Sequence, residues 1–213
     1  MNGSVLNIFS DRGTLAAKDV TPWQTFSGKG MKFQLQSYDW AGYACVSYLT
    51  MRAFLGLMKM ETIICTPYSK DLPIFSYDLI NAIGKRTLLI EVYETQLEPI
   101  DLSSMQSIKE SYRDLRDKYL KPNWYDSLRL SPSTSKVGPT SRLSSLTTEM
   151  TTAYTDLFAT SPTVDPAAKT ARNSTYVEGL ISNGGPAINT IRQMIGSEAA
   201  ETLFRRFLFG TER

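Results

Sequence analysis

The spacing of apolar residues changes at Pro99, and this change divides the chain into a strand-rich first part and a helix-rich second part. The clearest β signal is the run TLLIEVY at residues 87–93. Five strands are predicted from such patterns, over residues 32–38, 43–57, 60–66, 72–80 and 87–93. Short turns between them favour a mainly antiparallel sheet. We therefore predict an α/β fold, a three-layer α/β/α sandwich around a central, mainly antiparallel sheet.

Beyond Pro99, apolar residues recur at helical spacing. Helices are predicted from 101 or 103 to about 120, over 146–158, near 175–181, from Pro186 to the residue before Gly196, and from Ser197 onward. Residues 131–145 are crowded with Ser, Thr, Pro and Gly and are predicted to form a mobile loop. The length supports one good core, so residues 1–213 are expected to form a single domain.

The chain of 213 residues contains no histidine, which excludes Ser-His-Asp and Cys-His catalysis and removes the commonest metal ligand. Its two cysteines, Cys45 and Cys65, are not in CxxC spacing and are predicted to be small buried apolar residues. The run Gly28-Lys29-Gly30 lacks the spacing of a nucleotide-binding motif and predicts a turn. No metal site and no bound cofactor are expected.

The 23 basic and 21 acidic residues give a net charge of +2, which is too balanced to predict a nucleic-acid partner. The sequence begins without a secretory signal, and no apolar run approaches the length of a membrane span. We expect no membrane partner, a monomer, and a cytoplasmic location, or an organelle stroma if the source is eukaryotic.

Three segments carry a resemblance to a known family. They are Thr66-Pro67 with DLPIFSYDL at 71–79, KRTLLIEV at 85–92, and a C-terminal series of GPA at 185–187, MIGSE at 194–198 and RFLFG at 206–210. In this order they resemble the ferredoxin-dependent bilin reductases, the family of phycobilin and phytochromobilin synthases, of which the chain looks like a remote member.

The resemblance implies an oxidoreductase that reduces a linear tetrapyrrole, biliverdin or a related bilin, through a bilin radical. Electrons would come from an external ferredoxin, and the bilin would lie between the sheet and the C-terminal helices. The family's proton-donating aspartate corresponds to Asp78.

Asp78 is also informative without the resemblance. Alternation places it on the same strand face as Leu72, Ile74, Ser76 and Ile80, where partial desolvation should raise its pKa toward a value useful in general acid catalysis. The alternative is a solvated edge position or an ion pair with a lysine.

Glu91 is a second candidate on the neighbouring strand. If the hairpin turns near Gly84-Lys85, Glu91 comes roughly opposite Asp78, and two close carboxyl groups favour retention of a proton by one of them. A change of one residue in register would turn Glu91 to the other face.

Three further residues are candidate bilin contacts. Arg52 and Arg192 could pair with propionates, the alternative being exposed arginines that lie along the surface, and Asn183 could hydrogen-bond a pyrrole carbonyl. Positions where some family members have a catalytic histidine and a glutamate fall near Thr62 and Thr50. This departure leaves two alternatives open: a non-catalytic bilin- or haem-binding protein of the same fold, and a reductase of a chlorophyll catabolite.

Overall fold

The computed structural model of the chain describes residues 4–212 and contains a nine-stranded antiparallel sheet. The strands are β1 (Leu15–Ala17), β2 (Thr25–Gly28), β3 (Met31–Trp40), β4 (Ala44–Ala53), β5 (Met58–Pro67), β6 (Ile74–Ala82), β7 (Lys85–Tyr93), β8 (Arg116–Asp117) and β9 (Thr134–Val137). Their order in the sheet is β1-β3-β4-β5-β6-β7-β9-β8, and β2 pairs with residues 31–34 at the beginning of β3. The predicted α/β class and antiparallel sheet are confirmed.

Tight turns join the long strands β3 to β7 in sequence. Between β6 and β7 only Ile83 and Gly84 form the loop, with φ angles of 46° and 73°. The predicted hairpin at this position is confirmed, and so is the turn at Lys29-Gly30 between β2 and β3. β3 and β7 extend beyond their predicted ranges because backbone pairing continues through polar positions, whereas β2 was not predicted.

The helices are α1 (Ser4–Ser10), α2 (Ser103–Ser111), α3 (Thr140–Thr160), α4 (Pro166–Asn183), α5 (Pro186–Ile195) and α6 (Ser197–Thr202). The Asp165 carboxylate caps α4 by accepting hydrogen bonds from the Ala167 and Ala168 amides, both at 3.2 Å. α6 continues into a wider π turn over Leu203–Leu208. Within residues 4–212, no helix combines the length and apolarity needed to cross a bilayer.

Three predicted elements differ from the structure. The strand expected over 43–57 ends at Ala53, and residues 54–57 form the turn to β5. The helix expected to reach residue 120 ends at Ser111, after which the chain turns and forms the short strand β8. Residues 131–145, predicted as a mobile loop, contain β9 and the beginning of α3. β9 pairs with β7 and β8, and these backbone hydrogen bonds outweigh a local composition that is typical of a loop.

The sheet has one apolar cluster on each face. On the face that we call the α3 face, β6 contributes Phe75, Tyr77 and Leu79, which pack with residues of α1, α2 and α3. On the opposite face, here the α4 face, the cluster includes Ile74 and side chains from α4, α5 and α6. Cys45 and Cys65 are buried and free, as predicted.

Candidate functional site

Strand β6 carries the central residue of the candidate site. Its side chains alternate, so Ile74, Ser76, Asp78 and Ile80 lie on the α4 face. This confirms the predicted face of Asp78, with one exception. Leu72 precedes the strand and packs in the cluster of the α3 face, because the chain has not yet entered the pleated ladder there.

The residue Asp78 is only partly exposed and lies in the interior of the sheet, between β5 and β7. Thr62 stands directly across on β5 and donates its hydroxyl hydrogen bond to Asp78 Oδ1. Burial raises the pKa of Asp78 from its ordinary value of 3.8 to about 7; the Thr62 hydrogen bond opposes this rise, and the charge of Glu91 adds to it. Among the described residues Asp78 forms no ion pair, so neither the solvated-edge nor the lysine-pair alternative describes it.

Glu91 lies on the α4 face of β7, but its direct partner across the sheet is Ser76, while Asp78 pairs with Leu89. Glu91 is therefore a diagonal neighbour of Asp78 instead of the predicted opposite one. It is nearly buried and forms an ion pair with the Arg129 guanidinium. The same guanidinium contacts the Asp126 carboxylate at 2.8 Å.

The Arg129 pair gives the two acidic residues different environments. Glu91 has a cationic partner that offsets the cost of burying its charge, whereas Asp78 has only a hydroxyl group. Arg129 was not identified from the sequence, since it lies 38 residues from Glu91 and in a segment without a regular pattern.

Three tyrosines close one side of the site. The rings of Tyr93 and Tyr176 lie 4.6 Å apart between centroids, and Tyr125 meets Tyr93 edge to face at 5.9 Å. Arg129 lies over the Tyr125 ring at 5.4 Å. Because Tyr176 belongs to α4 and Tyr93 to β7, this cluster fixes the first C-terminal helix against the strand that carries Glu91. Sequence analysis missed Tyr125 and Tyr176, which have no local signal.

An apolar floor surrounds Asp78 on the α4 face. Met60, Ile80 and Leu89 occupy neighbouring positions of β5, β6 and β7, and each is partly exposed. Ser135 pairs with Leu89 from β9, and its hydroxyl group is buried without a hydrogen-bond partner among the described residues. A flat apolar molecule would find here a sheet surface with one protonatable acid and one unused hydroxyl group.

The other predicted contacts lie away from Asp78 or have partners of their own. Arg52 is exposed on the α3 face of β4. On α5, Arg192 is partly exposed and pairs with Glu201, its Nη2 3.2 Å from Oε1. Asn183 is exposed at the end of α4, where its amide donates to the Gly179 carbonyl at 3.1 Å. Of the residues predicted from sequence, the structure brings together Asp78 and Glu91.

Two threonines occupy the positions compared above with the family's histidine and glutamate. Thr62 lies beside Asp78, as described, whereas Thr50 lies on the α3 face of β4. Within residues 4–212, no three His, Cys, Asp or Glu side chains come together as a metal site. The arrangement places one carboxyl group with a raised pKa among apolar side chains on an open part of the sheet.

No protein-family profile and no curated protein sequence matches the chain. A solved structure does: the crystal structure of phytochromobilin synthase from tomato in complex with biliverdin, with a TM-score of 0.72 and 17% sequence identity. The match covers 97% of this chain and 80% of that chain. The chain has a phytochromobilin synthase-like fold. The likeness in fold that the three sequence segments predicted is thereby confirmed, over nearly the whole chain.

Proposed function

We propose that the chain is an oxidoreductase that reduces a linear tetrapyrrole, biliverdin or a related bilin, with Asp78 as the proton donor and a ferredoxin as the electron donor. The observation that carries the proposal is the position of Asp78: a carboxyl group with a pKa raised to about 7 on an apolar sheet face. The fold shared with a biliverdin-bound synthase supports the choice of substrate.

The raised pKa suits this role. A general acid works best when its pKa lies near the working pH, because it is then protonated often enough and still gives up its proton readily. An ordinary aspartate would be ionised at neutral pH, whereas the raised pKa would leave part of the Asp78 groups protonated there. The Thr62 hydroxyl group would stabilise the carboxylate that remains after proton transfer.

In the proposed reaction, the protein needs only to position the bilin and to supply a proton. Reduction of one double bond takes two electrons from two molecules of a one-electron ferredoxin, with a bilin radical between the two steps, and two protons. One proton would come from Asp78 and the other from water, and water would reprotonate Asp78. The chain holds the substrate and supplies protons, so no bound cofactor is needed.

The bilin would lie on the apolar floor of Met60, Ile80 and Leu89, beneath the C-terminal helices. Arg192 is our candidate for a propionate contact, since its Nε atom is buried without a partner among the described residues. Asn183 could reach a ring carbonyl from the end of α4. We assign no bilin contact to Arg52, which lies on the other face of the sheet.

A second candidate function is supported by Thr62. A threonine beside Asp78 cannot deliver a proton as a histidine does, which leaves one acid in the site and is compatible with a bilin- or haem-binding protein that does not catalyse reduction. Reduction of a chlorophyll catabolite is the remaining alternative within the same chemistry.

The deciding experiment mixes the protein with biliverdin and reduced ferredoxin under anaerobic conditions and follows the absorption spectrum. We expect bound biliverdin to decay to a reduced product, and Asp78→Asn to lower this rate at least 100-fold while binding is retained. Asp11→Asn, at an exposed position, is the matched control. Binding without turnover in the parent protein would favour the carrier, and unchanged turnover in Asp78→Asn would remove Asp78 from the mechanism.

A further inference from the structure

The turns between β4 and β5 and between β6 and β7 lie side by side at one end of the sheet and expose four large apolar side chains. Phe54 is 66% exposed, Leu57 65% and Ile83 85%, and Leu55 is completely exposed. The Ile83 amide donates to the Leu57 carbonyl at 3.3 Å, which joins the two turns into one protruding patch. Apolar groups gathered on an exposed surface mark a contact with something outside the folded chain.

The turn backbone makes these side chains more unusual. Ile83 and Gly84 form a two-residue loop in which both φ angles are positive, a geometry that favours Asn-Gly and disfavours a β-branched residue at the first position. Phe54 and Leu55 also have positive φ angles, of 51° and 55°. Neither turn chemistry nor core packing accounts for apolar side chains at these three positions, so their use must lie in an external contact.

A row of basic side chains crosses the sheet next to this patch. Cross-strand pairing aligns Lys32 with Arg52, Arg52 with Lys59, Lys59 with Asn81, and Asn81 with Arg86. Like charges directly opposite each other destabilise a sheet. Among the described residues none of these four cations is in an ion pair, so the repulsion is not relieved within the chain.

The charge of this end contrasts with the rest of the molecule. Residues 28–34, 50–61 and 80–88 contain six basic residues and one acidic residue, Glu61, in a chain whose total charge is only +2. Next to the basic row, on the α3 face, lies a polar trough of about 350 Å³ whose lining includes Gln34, Thr50 and Glu61. A molecule that matches this end in charge and polarity would be anionic and would also accept apolar side chains.

We propose that this hairpin-tip surface, formed by Phe54, Leu55, Leu57 and Ile83 with the basic row Lys32, Arg52, Lys59 and Arg86, docks on an anionic lipid membrane. The apolar tips enter the interfacial region of the bilayer, and the basic row lies against the anionic headgroups. A lipid surface is favoured over a protein partner by two features. The patch protrudes from the end of the sheet instead of forming a flat or concave contact area, and three of its four apolar residues are aliphatic.

This inference modifies the expectation that the chain has no membrane partner. That expectation came from the absence of an apolar run long enough to span a bilayer, which does not test a peripheral contact. The surface is assembled from hairpins that are separated in sequence, so only the folded sheet brings its apolar and basic residues together. The inference does not depend on the proposed reductase activity.

Two substitutions test the surface without threatening the fold. Lys59→Glu converts a like-charge cross-strand pair with Arg52 into an opposite-charge pair, and Ile83→Asn creates the preferred Asn-Gly turn. Both are expected to preserve or increase the thermal stability. Both are expected to weaken co-sedimentation of the full chain with vesicles of phosphatidylcholine containing about one third phosphatidylglycerol, Lys59→Glu by about tenfold or more.

The matched controls are Lys118→Glu and Tyr119→Asn, at exposed positions beyond β8. They change the net charge and the exposed apolar area to a similar extent, and vesicle binding should persist in both. The proposal would be overturned if the parent chain did not bind anionic vesicles, or if the test and control variants lost vesicle binding equally. Without vesicle binding, self-association or binding to an acidic protein that the tip variants abolish would identify a protein as the partner instead.

Discussion

The two faces of strand β6 differ although they are built from alternating residues of the same nine-residue segment. On the α3 face, Phe75 stacks on Tyr154 of α3 with ring centroids 4.6 Å apart, and both side chains are completely buried. On the α4 face, Asp78 and Ile80 remain partly exposed. A central strand can thus form a core wall with one set of residues and a partly open surface that carries an acid with the other.

The helices explain the difference. α3 has 21 residues and buries eight of them, among them Tyr154, which stacks on Phe75 of β6. On the other face, the C-terminal cluster is closed over Phe33, Leu35 and Leu49 of β3 and β4, while Ile80 and Leu89 are left partly open. The open part of the α4 face is therefore the part that surrounds Asp78.

The largest expected effect lies on the side of β6 that packs against α3. Tyr154→Ala removes a stacked ring and a 2.8 Å hydrogen bond to the Pro73 carbonyl. We expect it to lower the free energy of unfolding by about 4 kcal/mol, because a ring-sized cavity forms in a packed core. Chemical denaturation measures this. Tyr154→Phe, which retains the ring, should cost only about 1 kcal/mol; equal losses in the two variants would contradict a role for stacking.

The next effect concerns the buried ion pair of the open face. Arg129→Met leaves the Glu91 carboxylate nearly buried without its cation, and we expect a loss of about 3 kcal/mol in the free energy of unfolding. Arg142→Met, which breaks an exposed pair with Asp114, is the control and should cost less than about 1 kcal/mol. Similar losses for the two variants would show that the Glu91 pair is more solvated than the structure indicates.

Asp78 should reduce stability at alkaline pH. Its pKa is raised to about 7 in the folded chain and is ordinary in the unfolded chain, so the folded state binds more protons between about pH 4 and pH 7, and stability falls as pH rises through that window. We expect Asp78→Asn to stabilise the chain by about 1–2 kcal/mol at pH 8 and to flatten this pH dependence. Denaturant midpoints at pH 5 and pH 8 provide the measurement. If stability changed with pH equally in Asp78→Asn and in the parent chain, the raised pKa would be contradicted.

The smallest effect tests the hydroxyl group beside the acid. The Thr62 hydrogen bond lowers the pKa of Asp78, so Thr62→Val should raise this pKa further, by up to about one unit. Under the proposed reductase function, the decline of the reduction rate with pH should move upward by the same amount. Thr66→Val is the control because the Thr66 hydroxyl group is buried without a partner among the described residues. If the dependence of the reduction rate on pH moved equally in Thr62→Val and Thr66→Val, a specific role for Thr62 would be excluded.

Local patterns were sufficient for the features that depend on neighbouring residues. The alternation of β6 gave the face of Asp78, and the run at 87–93 gave β7. The partner of Glu91 was missed because the turn lies one residue earlier than predicted, and a shift of one residue in a turn moves every cross-strand partner by two. Arg129 and Tyr176 reach the site from distant segments, which no local pattern can indicate.

Because the chain contains no histidine, calorimetry can detect a proton that Asp78 takes up or releases when a ligand binds. Few groups in this chain change their charge between pH 5 and pH 8, so any proton taken up or released when a ligand binds in that range can be traced to a small number of atoms. Titrations of the same ligand in two buffers with different ionisation enthalpies would count that proton directly. Comparison with Asp78→Asn would assign the part of that proton that belongs to Asp78, since burial lowers the pKa of Lys169 to about 8 and this group can also change its charge in the range.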